Sequence, residues 1–208
     1  ANLEGANLKI ANLQDTNLMN RNLNQANLTG ANLSRANLTG ASLVFSSLIL
    51  AEMTGVNLKK ANLNKAELRG AYLNQANLFQ ANLQGANLQG ANMSGVILRE
   101  ANLNQANLSG VNLSRANLTG VDISGVNMNG SNLKEANLSQ ANLTGANLSR
   151  ADLTGANLTK ANLNEANLNG AYLNQTKLIK ANLKNVKNLD SAIKCKTIFS
   201  DQEDNSGC

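Results

Sequence analysis

Residues Ala26-Asn27-Leu28-Thr29-Gly30-Ala31-Asn32-Leu33-Ser34-Arg35-Ala36-Asn37-Leu38-Thr39-Gly40 are three copies of one five-residue unit, Ala-Asn-Leu-x-x, joined end to end. The same register runs from Ala1 to Asn185 as 37 consecutive units, and only the last 23 of the 208 residues lie outside it. A period this short and strict predicts a solenoid, in which each repeat buries its apolar face only by stacking on its neighbours.

What each position tolerates turns the spacing into geometry. The third position is Leu except at Met53, Met93, Ile123 and Met128, so it never carries a polar side chain and must be buried. The first is Ala in 27 of 37 units, with mostly small or β-branched replacements such as Val56, Val96, Val121 and Thr176. First and third positions share one side of an extended segment, while the second, Asn in 27 units, faces the other way. The fourth and fifth must then turn the corner. Fifteen of the 16 glycines fall at the fifth position, where Gly supplies the positive φ that a type II turn requires at its third residue. A helix is excluded because apolar residues at a five-residue spacing form no stripe on a 3.6-residue period, and a coiled coil fails for the same reason.

Tandem Ala-Asn-Leu-x-x units resemble the pentapeptide-repeat proteins over about nine tenths of this chain. The resemblance implies an all-β, right-handed quadrilateral β-helix with four units per coil and first and third positions inside. The residues themselves give a cornered solenoid without fixing four sides. At 20 residues per coil, residues 1–185 make about nine coils, and residues 186–208 are left for a short C-terminal cap and polar tail. A strand spacing of roughly 4.8 Å makes the rod about 40 to 45 Å long. The near absence of Phe at the centre favours, by family analogy, one regular turn type throughout.

Charge separates the functional readings. Residues 1–185 hold 15 basic against 9 acidic residues, net +6, and the remainder is −1, giving +5 for the chain. Some proteins of the resembling family protect type II topoisomerases by presenting an acidic rod that mimics duplex DNA, and this chain has the opposite sign. Direct nucleic-acid binding is also disfavoured. Stacking the chain in twenties puts Lys60, Lys160 and Lys180 in one column and Arg35 and Arg115 in another, but Glu100 and Glu135 interrupt them, and aromatic residues are only 2% of the chain. No run of apolar residues is long enough to span a membrane or resembles a signal-peptide core, so a soluble chain without membrane insertion is expected. The start at Ala1, inside a repeat, leaves room for a removed upstream segment or a longer parent protein.

The departures from the repeat are the candidate sites. Arg21 falls at an inward first position one coil from the N-terminal end, where it is expected to snorkel outward rather than bind an anion. In Ala41–Leu50 the usually polar corners become Val44, Phe45, Ile49 and Leu50, four large apolar residues on adjoining outer corners, with Ile10 two coils away in the column of Leu50. This cluster is the candidate surface for an unidentified protein partner or for self-association at the N-terminal end. Tyr72, Phe79, Ile97, Tyr172 and Ile179 are isolated outward residues with no assigned role. Val121, Ile123, Val126 and Met128 gather in one coil and read as compensating core packing. The Asn columns read as amide hydrogen bonding along the rod or to local backbone. The Thr residues scatter over several columns without forming a lattice face.

After Asn185 the pattern breaks, and Leu189, Ile193, Ile198 and Phe199 are expected to cover the last coil. Both cysteines, Cys195 and Cys208, lie in this region, where Ala192–Ile198 and Ser206-Gly207-Cys208 resemble C-terminal segments of some photosynthetic-lineage pentapeptide-repeat proteins. Two readings stand: a disulfide pinning the tail, which would place the protein in a periplasm or thylakoid lumen, or two free thiols in a reducing cytoplasm. With no His, two Cys and no clustered carboxylates, no metal, cofactor or catalytic site is expected. The expectation is a non-catalytic solenoid that presents a rigid surface to a protein. The alternatives are a topoisomerase modulator and a structural module of a longer protein.

Overall fold

The computed structural model of the protein describes residues 2–200 and the backbone of 202–204. Each five-residue unit folds as its sequence requires. The first-position N–H of the next unit donates to the third-position carbonyl, as from Ala6 to Leu3 at 3.0 Å and from Ala61 to Leu58 at 2.9 Å. This closes a four-residue turn whose third residue, the fifth of the unit, has φ between 52° and 69°, the type II arrangement. Glycine is only part of how that corner is filled, because 22 of the 37 units place another residue there and all of these have positive φ.

Twenty residues on, the chain meets itself. Every second-position residue from Asn2 to Asn167 pairs in parallel with the residue 20 positions later, in columns headed by Asn2, Asn7, Asn12 and Asn17. Four bridge columns give each coil four sides. One side is joined to the next coil by bonds such as Leu33 N–H to Glu52 O at 2.7 Å, and to the previous one by Asn32 N–H to Ala11 O at 2.9 Å. A five-residue period leaves so little extended chain between corners that each side contributes a single bridge. Only β1 (Lys177–Leu178), β2 (Thr197–Phe199) and β3 (Gln202–Asp204) lengthen into strands among the described residues.

First and third positions build one continuous core, buried from Leu23 to Leu173, while Leu3, Leu8, Leu13 and Leu18 at the N-terminal end are half-buried against it. Outward Asn side chains are used twice. Their Oδ1 accepts the N–H two residues on, as Asn37 does from Thr39 at 3.1 Å. Their Nδ2 reaches the neighbouring coil, as Asn82 does to Asn62 Oδ1 at 3.2 Å. Both expected uses of the amides are therefore present. They tie the turn and the stack together.

The register slips once. A 3-10 turn at Leu189–Ser191 inserts one residue, so that Tyr172 pairs with Ile193 and Lys177 with Ile198, each 21 positions apart. The slip moves Ala192 and Thr197 to inward first positions, where they are buried, and Ile193 and Ile198 to outward second positions. The expectation that Ile193 and Ile198 cover the last coil is thereby corrected: both face outward, Ile193 39% exposed beside Tyr172 and Ile198 half-buried beside Lys177. Leu189 and Phe199 do pack against the core. Strand β2 pairs in parallel with β1 and antiparallel with β3.

Candidate partner surface

Phe45 and Leu50 occupy successive corners of the third coil and are each 56% exposed, while Val44 and Ile49, the residues before them, are half-buried. Both corner residues hold left-handed backbone, with φ of 57° and 55°. Large apolar side chains gain nothing there from backbone preference and little from burial, so neither turn chemistry nor the core accounts for them. Leu50 lies over Gly70, whose added Cβ would come within 2.8 Å of Leu50 Cδ2, and Ile10, 73% exposed, lies over Gly30 two coils above. The absence of a side chain below each gives these residues a flat seat.

Between the two apolar corners runs a side of small polar groups. Ser46 turns inward and donates from Oγ to Leu43 O at 2.7 Å, and Ser47 Oγ lies 2.9 Å from Thr29 Oγ1. Lys65 places its ammonium 5.3 Å from the centroid of the Phe45 ring, an attractive contact with the ring face. Beyond it, Arg69 pairs with Glu67 at 3.2 Å. The cluster is thus an apolar ridge pair with a mildly basic border.

A concavity, which the repeat pattern did not suggest, lies on a different corner. It is a polar groove of about 410 Å³ lined by Ser94, Gly95, Ser114, Arg115, Lys134 and Glu135. Small residues make its floor, and Arg115 Nε donating to Glu135 Oε2 at 2.9 Å closes one wall. The signal was present at the 20-residue spacing: Arg115 and Glu135 share a column, as do Asp15 and Arg35, which pair through two hydrogen bonds of 2.8 and 2.7 Å. The hydrogen bonds from Arg35, then from Gln14, hold the Asp15 carboxyl below its usual range. At Asp152 partial burial opposes ionisation, but hydrogen bonds from Thr154 and Lys134 outweigh it and lower the pKa.

The remaining expected positions are dispersed. Arg21 is exposed, as expected of a cation at an inward position near the end of the stack. Val121, Ile123, Val126 and Met128 are buried. Cys195 is half-buried and its N–H donates to Asn174 Oδ1 at 3.0 Å, whereas Cys208 lies outside the described residues. Among the described residues no group of His, Cys, Asp and Glu is placed to hold a metal ion, and no helix is long and apolar enough to cross a membrane.

Comparison with known proteins bears on this geometry. A sequence model of pentapeptide repeats matches in eight copies between residues 17 and 187. Among solved structures the chain is similar to HetL, a pentapeptide repeat protein involved in heterocyst differentiation regulation from the cyanobacterium Nostoc sp. strain PCC 7120, with a TM-score of 0.67 and 33% identity over 95% of this chain and 91% of HetL. It is also similar to a trypsin-treated form of QnrB1, a plasmid-mediated fluoroquinolone resistance protein, with a TM-score of 0.58 and 19% identity over 85% of this chain and 86% of QnrB1. The second likeness shows the fold alone. No curated protein sequence matches.

Proposed function

We propose, from the premise that this chain belongs to the pentapeptide-repeat family, that it is a non-catalytic binding module whose partner is a protein engaged through Val44, Phe45, Ile49 and Leu50. The observation that carries the reading is the pair of apolar corners, Phe45 and Leu50, exposed in a backbone conformation that neither residue favours. The regulatory involvement of HetL, similar over nearly the whole chain, supports a role exercised by binding. In this reading the rod is a right-handed β-helix of about nine coils formed by residues 1–185. Residues 186–208 are its cap, with Leu189 and Phe199 as the covering side chains and Cys195 bridged to Cys208. The compartment follows from that bridge: a periplasm or thylakoid lumen if it forms, the cytoplasm otherwise. The net charge of +5 argues against a DNA-mimicking role.

The test compares two baits in extract of the native host: the parent protein and a variant carrying Val44→Ser, Phe45→Ser, Ile49→Ser and Leu50→Ser, matched for circular dichroism. A partner retained by the parent and lost from the variant is expected. Identical captures from both baits would remove this surface from the reading. Alkylation under non-reducing conditions followed by peptide mass measurement decides the bridge separately.

A further inference from the structure

On one face of the rod the ladder between coil 101–120 and coil 121–140 keeps its register but is loosened. One coil earlier, Leu83 N–H donates to Asn102 O at 2.7 Å, Gly85 N–H to Asn104 O at 2.9 Å, Asn102 N–H to Ala81 O at 2.9 Å and Asn107 N–H to Ala86 O at 3.0 Å. At the next junction Asn102 still pairs with Asp122 and Asn107 with Asn127, and Leu108 N–H donates to Asn127 O at 3.0 Å, but the equivalent amides of Leu103, Gln105, Asp122 and Asn127 make no close backbone hydrogen bond among the described residues. On the opposite faces the same two coils stay joined, by Leu113 N–H to Asn132 O at 2.7 Å and Leu118 N–H to Asn137 O at 2.8 Å. The loosening is one-sided.

A further feature changes at the same level. Solvent reaches inward positions there: Ala101 is 6% and Ala106 3% exposed, against 1% for Ala81 and Ala86 above them.

The core departs from the repeat on the same two sides. Val121, Ile123, Val126 and Met128 put four departures from the Ala and Leu pattern on two adjacent sides of one coil, and all four are buried. A single Val is tolerated: Val56 sits in an intact ladder, with Asn57 N–H donating to Ala36 O at 3.0 Å. The β-branched Val121, Ile123 and Val126 are stiff, and the two Val side chains add volume where the repeat has Ala. The polar groove crosses this junction on other sides of the rod, with Ser114 and Arg115 from one coil facing Asn132, Lys134 and Glu135 from the next.

We propose that this seam is a built-in bending point that divides the rod into two stiff blocks, up to Gly120 and from Val121, and that bending there sets the width of the groove spanned by Arg115 and Glu135. The test uses the full chain and a variant returned to the repeat pattern by Val121→Ala, Ile123→Leu and Val126→Ala. In the parent, the amides of Leu103, Gln105, Asp122 and Asn127 are expected to exchange hydrogen at least tenfold faster than those of Leu83, Gly85, Asn102 and Asn107. The variant should remove the difference, and Val56→Ala should leave it in place. Nitroxides on ketone-bearing residues at Thr54 and Thr154, on the groove corner and about 24 Å apart at one strand spacing per coil, should give a broader distance distribution in the parent than in the variant. Equal protection across the seam, fast exchange that persists in the folded variant, or equally narrow distributions would each overturn the proposal.

Discussion

At the scale of the residue, the informative position is the fifth, because its backbone is left-handed whatever side chain it carries. Glycine meets this at no steric cost, and other residues accept roughly 1–2 kcal/mol. Gly145 and Gly70 separate backbone from packing. An added Cβ at Gly145 meets nothing within 4 Å, whereas at Gly70 it meets Leu50. Gly145→Ala is therefore expected to destabilise by about 1 kcal/mol through the backbone alone, and Gly70→Ala by roughly 1 kcal/mol more through crowding. Combining Gly70→Ala with Leu50→Ala should abolish the excess, which a double-mutant cycle by denaturant unfolding measures. The inward Leu and Ala, the outward Asn and the positive φ at Gly were all legible in the sequence, since each position tolerates one physical class. That Gln105, Arg35 and Phe45 share the same φ was not legible, because a corner imposed by the stack overrides local preference.

At the scale of the element, a coil is held by its ladder and, on the outside, by pairs of residues 20 apart. The Asp15–Arg35 pair joins the first coil to the second. Its sign follows from the lowered Asp15 pKa: the contribution is present above the ordinary carboxylate value and is lost as pH falls through the depressed folded value. Both groups are exposed, so the effect on stability is small and best read locally. A carboxyl-carbon NMR titration should give a midpoint for Asp15 below the ordinary Asp value, moving upward in Arg35→Gln; an unchanged midpoint would mean that the pair does not form in solution. The pairing was implicit in the column arithmetic, but the slip at Leu189–Ser191 was not. One inserted residue exchanges inside for outside, so Ala192 and Thr197 face in while Ile193 faces out, and apolar content alone points to the wrong side chains. The apolar corners at Phe45 and Leu50 were legible for the converse reason. They break a polar pattern without changing the phase.

At the scale of the whole molecule, phase is what the chain encodes most strongly, because each coil contacts only its neighbours and core positions recur without reference to the ends. Deletions can test phase separately from composition. Removing residues 61–80 takes out one complete coil and rejoins Lys60 to Ala81, preserving the 20-residue pairing and every column. Removing residues 61–65 preserves the inward and outward alternation but rotates the upstream columns by one side relative to those downstream. Removing residues 61–64 leaves Lys65 at a first position and advances every later residue by one, which turns the Leu row out of the core. The first two variants are expected to keep the parent β spectrum and cooperative melting. The third should lose the β signal of the residues beyond the cut, unless the chain absorbs the error locally as it does at Leu189–Ser191. That escape carries its own signature, since an irregular turn at the junction would leave the downstream amides slow to exchange and expose only those beside the cut. Melting that depends on the number of residues removed, rather than on its remainder after division by five, would refute phase as the organising quantity of this fold.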